Sequence, residues 1–428
     1  MAYRFLSGGS AAAGAILADR CAAADALGPP DITLRIARVA FEVAPGRTIH
    51  TTGYNGAVPG PLVRLREGVP VTVEIFNDTP ATEFVHWHGF DVPIAVDGVD
   101  EECSPGVPAH GSLRYQMTPV PSGSRYVHTH AMAMGDLGRG TFSGQFAFAF
   151  VEPKSSPGRY DREVFLAIHE WEPYLASMEQ PEDISPAPRV SRPNDAFPTP
   201  QGLEVRYRYF TINSKCFGYG EPVRVREGQT VLFHFLNASA TESVRFALPG
   251  HRFEVVALDG NPVPRPASVE TLELGTAERI NAIVKMDHPG VFVLGSPEHD
   301  RRAKGMGIVV EYAGRSGSPV RVKPAGAAWD YAIFGESRAV AKPAVVVPLV
   351  IRRGALDAAG FETWTINGES YDPNRRTRLA KGQRCRLMID NQTRSDTLRR
   401  RGTIRAARAP SPHEYRLADE RWNYGLRY

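Results

Sequence analysis

Cysteine is scarce in this chain. There are four, Cys21, Cys103, Cys216 and Cys385, and no two of them are spaced as Cys-x-x-Cys. That argues against a cysteine zinc site, and the spacing sets out no disulfide scaffold. An excess of one charge is also missing: Lys+Arg number 50, Asp+Glu 47, and the formal net charge is +3. So balanced a chain offers nothing that would draw it to nucleic acid or to an anionic membrane surface. Long apolar runs are absent too, against the roughly 20 residues a bilayer-spanning helix needs. The N-terminal stretch from Phe5 to Ala18, led by Arg4, is interrupted and too short to span. Residues 1–30 are expected to be a secretory leader with a small-residue cleavage site at Cys21-Ala22-Ala23-Ala24, which would place the protein in the periplasm or outside the cell. A worn twin-arginine leader and a plain Ala/Gly tail are the alternatives.

What is abundant is turn chemistry. With Gly 40, Pro 35 and 42% hydrophobic residues in 428, the composition fits a globular all-β protein of several domains. An internal repeat organises it. Residues 63–79 (VRLREGVPVTVEIFNDT), 223–239 (VRVREGQTVLFHFLNAS) and 377–393 (TRLAKGQRCRLMIDNQT) align at Gly68, Gly228 and Gly382 and at Asn77, Asn237 and Asn391. Upstream, Tyr54-Asn55, Ile212-Asn213 and Ile366-Asn367 recur in the same place. Each copy predicts an Arg-bearing strand, a glycine turn, an alternating strand with one face buried, and an Asn-x-Ser/Thr stop. The triplets look like glycosylation sequons, but recurrence at the same place favours a strand-ending turn. Three β-sandwiches are expected, over 31–153, 160–314 and 328–428, the last one short. Residues 180–200 read as a surface loop and 314–326 as a linker.

Two His-x-His motifs stand out, FVHWHGF with His86 and His88, and RYVHTHAMAMGD with His128 and His130. On a strand, residues i and i+2 share one face, about 6.6–6.8 Å apart. Two such strands side by side would converge four imidazoles, a donor set suited to copper, zinc, iron or nickel. A lone strand histidine is usually structural, and one His-x-His in a chain with twelve histidines could be chance; two in one domain make metal binding the expectation. The second repeat keeps the frame without the ligands: nine residues past Asn77 stands His86, nine past Asn237 stands Phe246. The histidines are an addition to the scaffold rather than part of what folds it.

HWHG, then Asp97-Gly98, a Cys-x-Pro-Gly stretch from Cys103 to Gly106, and the second His-x-His with a Gly-rich loop together resemble the first domain of multicopper oxidases. The resemblance implies tandem cupredoxin-like Greek-key sandwiches, two complete and a third incomplete. It implies half of a trinuclear copper cluster, with His86 at the type 2 ion and His88, His128 and His130 at the type 3 pair. It puts Asp97 near a proton-delivering acid; an Asp-Gly turn is the alternative. The implied activity is one-electron oxidation of a phenolic, aromatic or metal-ion reductant coupled to reduction of dioxygen to water. A disulfide between Cys103 and Cys216 is a further possibility, against two buried free thiols.

The resemblance stops in the last repeat. The family's HPxHLHxH and HCHxxxHxxxxM motifs, which carry the remaining cluster ligands and the type 1 copper, have no counterpart: past His299 the only histidine is His413, and past Cys216 the only cysteine is Cys385. Cys385 aligns with Val71 and Val231, so a core thiol is expected there. The basic tail after 393 suggests a reading-frame shift near 394 or a naturally truncated homologue, and this chain alone is expected to have little oxidase activity. The rivals are a copper-binding protein without turnover and a metal-free scaffold. Met132 and Met134, close after His130, suit either copper entry or ordinary packing. His50, His110, His169, His234, His251, His288 and His299 lack metal spacing and are expected to have ordinary roles.

Overall fold

A computed structural model describes residues 28–100, 103–133, 136–155, 160–177, 203–321, 329–336, 342–356, 362–370, 380 and 383–392. The leader-like residues 1–27 with Cys21, Met134, the loop 180–200, linker residues 322–326 and the basic tail from 393 with His413 lie outside the described residues. The fold is all-β, as the alternating patterns predict. It divides into two compact units, residues up to 159 together with 259–261, and the remainder. Among the described residues no helix is long and apolar enough to cross a membrane.

The first unit holds β1 (Ile32–Ala44), β2 (Arg47–Tyr54), β3 (Val63–Arg66), β4 (Val71–Asn77), β5 (Val85–His88), β6 (Ser112–Met117), β7 (Gly123–Thr129) and β8 (Phe146–Glu152). They form two four-stranded sheets, ordered β2-β1-β4-β6 and β3-β8-β7-β5. Leu34, Ile36, Val73 and Ile75 of the first sheet and Leu65, Trp87, Val127 and Ala149 of the second share one core. Burying an aliphatic side chain of that kind stabilises by about 1.5–3 kcal/mol. Alternation sets the faces: in β5, Val85 and Trp87 go in while His86 and His88 stay on the half-exposed side. The Trp87 indole N–H donates to the Tyr115 hydroxyl at 2.6 Å and fixes that strand.

The second unit holds β9 (Arg162–Ser177), β10 (Leu203–Ile212), β11 (Val223–Val225), β12 (Thr230–Asn237), β13 (Val244–Ala247), β14 (Phe253–Leu258), β15 (Asn261–Val269) apart from its first residue, β16 (Thr271–Leu274), β17 (Arg279–Lys285), β18 (Val291–Gly295) and β19 (Gly307–Tyr312). Their sheets run β10-β9-β12-β17-β14-β15 and β11-β19-β18-β13-β16. Phe233, Phe235, Phe246 and Phe253 are fully buried. Glu170 on β9 is buried as well. Desolvation pushes its pKa from 4.5 to about 8, with the charge of Glu242 adding to the rise and Ser239 and Arg301 opposing it. The unit also contains a three-stranded sheet of β20 (Val345–Leu356), β21 (Glu362–Ile366) and β22 (Cys385–Asn391), ordered β21-β20-β22.

The repeat reappears in register. β1 runs parallel to β4 with Ile36 opposite Asn77, β9 parallel to β12 with Ile168 opposite Asn237, and β20 parallel to β22 with Ile351 opposite Asn391. The same three isoleucines face Tyr54, Ile212 and Ile366 across the antiparallel hairpins. Asn55, Asn213 and Asn367 each take φ near +50° (53, 49 and 54), which asparagine tolerates. Each accepts a backbone N–H from the first strand, of Arg35, Ala167 or Val350, at 2.6–2.8 Å, and donates back to Thr33, Phe165 or Pro348. The sequon-like residues have a second job. The Asn77 amide points at the carbonyls of Ala81, Val107 and Pro108, and that of Asn237 at those of Glu242, Leu274 and Gly275. Both side chains are buried, as the turn interpretation requires.

One cysteine expectation is corrected. Cys385 is only half-buried, because β20–β22 has no facing sheet among the described residues, and Val346, Leu387 and Met388 of that sheet are exposed with it. Of the alternatives left open for Cys103 and Cys216, free thiols hold, with Cys216 buried and Cys103 exposed in a turn at φ +66°.

Candidate metal centre

β5 and β7 are antiparallel neighbours with His86 directly opposite His128. His88 stands two residues along β5, on the same side as His86. His130 follows the end of β7 and is held there by its backbone N–H, which donates to the Phe84 carbonyl at 2.8 Å. The four rings therefore meet at one place. The centroid of His86 lies 5.4 Å from His88, 5.3 Å from His128 and 5.4 Å from His130. One ring nitrogen from each of His86, His88 and His128 falls within 4.8 Å of the others. His88 Nδ1 and His128 Nε2 are 3.3 Å apart, about the edge length of a tetrahedron of nitrogens around one ion at ~2.0–2.1 Å.

In His86 and His128 the second nitrogen is spoken for, which decides where those two rings point. His86 Nδ1 lies 2.8 Å from the Asp97 carbonyl oxygen and 3.2 Å from its carboxylate. His128 Nδ1 lies 2.8 Å from the Thr129 carbonyl. With Nδ1–H donating to those oxygens, Nε2 of both rings is left as the donor to a metal. Tyr126 stacks on His128 at 4.6 Å and 14°, and lies 4.6 Å from His88.

Asp97 occupies the Asp-Gly turn that the sequence offered as one alternative. It ends a single-turn helix (Ile94–Asp97) whose C-cap is Gly98 at φ +76°, an Asp-Gly turn, and the same turn delivers the Asp97 carboxylate to His86. Gly98 is obligatory there: a Cβ would sit 1.8 Å from the Val85 carbonyl oxygen and 2.9 Å from the His86 nitrogen.

Several supporting residues carry no sequence signal. Glu83 accepts from Thr129 Oγ1 at 3.2 Å and Gln145 Nε2 at 3.3 Å, and Arg139 lies 3.9 Å away. Burial raises its pKa, with Gln145, Arg139 and Thr129 pulling the other way. Thr129 is the residue between His128 and His130, so Glu83 braces the second motif from beneath. Met132 is exposed at the rim.

The remaining histidines divide. His169 is buried with Nδ1 2.8 Å from the Ala238 carbonyl, and His234 stacks on Phe165 at 4.2 Å; both are structural. His251 and His288, expected to be ordinary, come together with Asp287 in a second group with metal-like spacing. Their 37-position separation, with no His-x-His pattern, hid them from sequence reasoning.

Sequence profiles of the multicopper oxidase family match residues 36–156, which include all four converging histidines, and residues 194–311, together just over half of the chain. The chain belongs to the multicopper oxidase family. A multicopper oxidase of Mycobacterium tuberculosis is 26% identical over 366 residues, covering 81% of this chain and 70% of the relative. Copper resistance protein A of Pseudomonas syringae pv. tomato is 25% identical over 56% of this chain, which spans only 43% of that relative's length. The fold is shared with the blue copper oxidase of Nitrosomonas europaea, at a TM-score of 0.55 and 24% identity over 66% of this chain and 85% of that one. Within this multicopper oxidase, the second sandwich puts Val244–Ala247, with buried Phe246, where the first puts the strand of His86 and His88.

Proposed function

We propose that His86, His88, His128 and His130 bind copper as the first-domain half of a trinuclear type 2/type 3 cluster, in a chain of three cupredoxin-like domains over 31–153, 160–314 and 328–428. The geometry that carries this is the direct opposition of His86 and His128, with three imidazole donors inside 4.8 Å. The donor set fits copper: neutral imidazoles, two of them oriented through Nδ1 by carbonyl oxygens. Copper, when bound, supplies one-electron redox chemistry. The chain's own residues hold it: Asp97 orients His86 and lies where it can pass a proton toward the cluster, and Glu83 through Thr129 holds the second motif in place.

The family activity is copper-dependent oxidation of a phenolic, aromatic or metal-ion reductant with reduction of dioxygen to water, in the periplasm or outside the cell. For this chain alone a copper-binding role without turnover is favoured. Its last sheet brings no histidine among the described residues and a single half-buried thiol, whereas a full cluster and a type 1 site call for further histidines and a Cys thiolate. The test is to load the full chain with Cu2+ and measure bound copper, the blue thiolate-to-copper absorption and oxygen uptake. Bound copper that falls in H86A/H128A, with neither blue colour nor oxygen uptake, is expected. Blue colour with oxygen uptake would restore the complete oxidase, and no bound copper at all would leave a bare scaffold.

A further inference from the structure

The second unit contains its own histidine–carboxylate group, unrelated to the copper ligands of the first. His251 precedes β14, and Asp287 and His288 lie in the turn joining β17 to β18. One donor atom from each falls within 4.8 Å of the other two. The His251 and His288 rings are 5.7 Å apart and nearly perpendicular, at 77°. His251 is buried, while His288 and Asp287 are 64% and 60% exposed, which gives the group a rigid wall and an open mouth.

The hydrogen bonds are those of a prepared ligand. His251 Nδ1 lies 2.8 Å from the Pro249 carbonyl, which takes the N–H and leaves the Nε2 lone pair facing the Tyr312 hydroxyl at 2.6 Å. An entering ion replaces that one bond, and the hydroxyl oxygen keeps the hydrogen bond it accepts from the His288 backbone N–H. His288 Nδ1 touches the Asp287 carboxylate at 2.8 Å. Ligands at ~2.0–2.2 Å from one ion at tetrahedral angles lie about 3.3–3.6 Å apart, so from a spacing of up to 4.8 Å the exposed pair closes by up to about 1.5 Å through side-chain rotation.

We propose that His251, Asp287 and His288 form a mononuclear site for a divalent ion of the Cu2+ or Zn2+ class, with water in the remaining positions. Two imidazoles and one carboxylate suit that class, and Cu2+ is held more tightly than Zn2+. The experiment is a titration of the full chain with Cu2+ alone at pH 7 against a competing chelator, for the parent, H288A and D287N. Expected is the loss of one bound ion in H288A and about tenfold weaker binding of that ion in D287N, with unchanged melting temperatures because both residues are exposed. The same loss is expected when H288A is added to H86A/H128A, which separates this site from the first-domain histidines. Equal stoichiometry and affinity in H288A and the parent would overturn the proposal.

Discussion

Replacing Gly98 by alanine tests how tightly the Asp-Gly turn is built against the strand of His86. The new Cβ would lie 1.8 Å from the Val85 carbonyl oxygen, 2.3 Å from its carbon and 2.9 Å from the His86 nitrogen. Ordinary contact begins near 3.4 Å, so turn and strand must part by about 1.5 Å, and the strand that moves carries His86. The positive φ of +76° adds a backbone cost of ~1–2 kcal/mol, and overpacking of this kind adds ~1–3 kcal/mol. The sum is a large share of the ~5–15 kcal/mol that holds a domain together. At ~2–4 °C per kcal/mol, the melting temperature should drop by about 5–15 °C. G46A is the control: Gly46 has nearly the same φ, +68°, but nothing within 4 Å of the added carbon, so it incurs the backbone cost alone. Thermal unfolding followed by near-ultraviolet circular dichroism, with equilibrium dialysis against Cu2+, reads both effects. G98A should also bind copper at the first-domain histidines at least ~10-fold more weakly, as expected when a ligand's support moves. A G98A protein that melts with G46A and keeps its copper affinity would refute the packing argument.

Three further outcomes follow from the same geometry. D97N keeps the turn and the carbonyl contact to His86 but removes the carboxylate charge 3.2 Å from Nδ1; copper affinity, measured by chelator competition, should fall about 10-fold with little change in melting temperature. Glu170, with a folded pKa near 8 against 4.5, keeps its proton in the folded protein while the unfolded chain loses it. Its contribution is therefore complete below about pH 4.5 and is lost as pH rises through 8. The advantage of E170Q in urea unfolding should grow between pH 5 and pH 8, by at most about 4 kcal/mol, and a pH-independent difference would exclude the neutral buried acid. N237A strips the partners from the Glu242, Leu274 and Gly275 carbonyls and should lower the unfolding free energy by ~1–3 kcal/mol in the same assay, whereas a change within error would mean those carbonyls are satisfied otherwise.

The convergence of the histidines was legible because strand periodicity is a local rule: i and i+2 share a face wherever the strand lies, so His86 with His88, and His128 with a neighbour one residue past the strand end, needed only adjacent strands. The threefold repeat was legible for the same reason, down to the asparagine that closes each hairpin. What stayed hidden depends on contacts between distant segments. Glu83 meets Thr129 and Gln145 only once β5, β7 and β8 are assembled, and a buried carboxylate has no local pattern. His251 and His288 lie on different turns, joined by the fold rather than by spacing. Cys385 misled because its alignment with Val71 and Val231 fixes register but not burial: Val231 is fully buried, while Val71, in a unit with two sheets, is itself only half-buried. Asp97 was posed as turn or functional acid; the single-turn helix bears out the turn and sets its carboxylate beside His86.

The asparagines at the ends of β4 and β12 bear on where this protein can be produced. Asn77 and Asn237 are the acceptors that a eukaryotic secretory host would attempt to load with oligosaccharide, yet each amide nitrogen is enclosed and committed to backbone carbonyls. A sugar attached before the strand closes would keep that amide out of its pocket. Yeast or insect-cell material should then sort into folded, unmodified chains and modified ones retained by quality control, whereas a bacterial host meets no such partition.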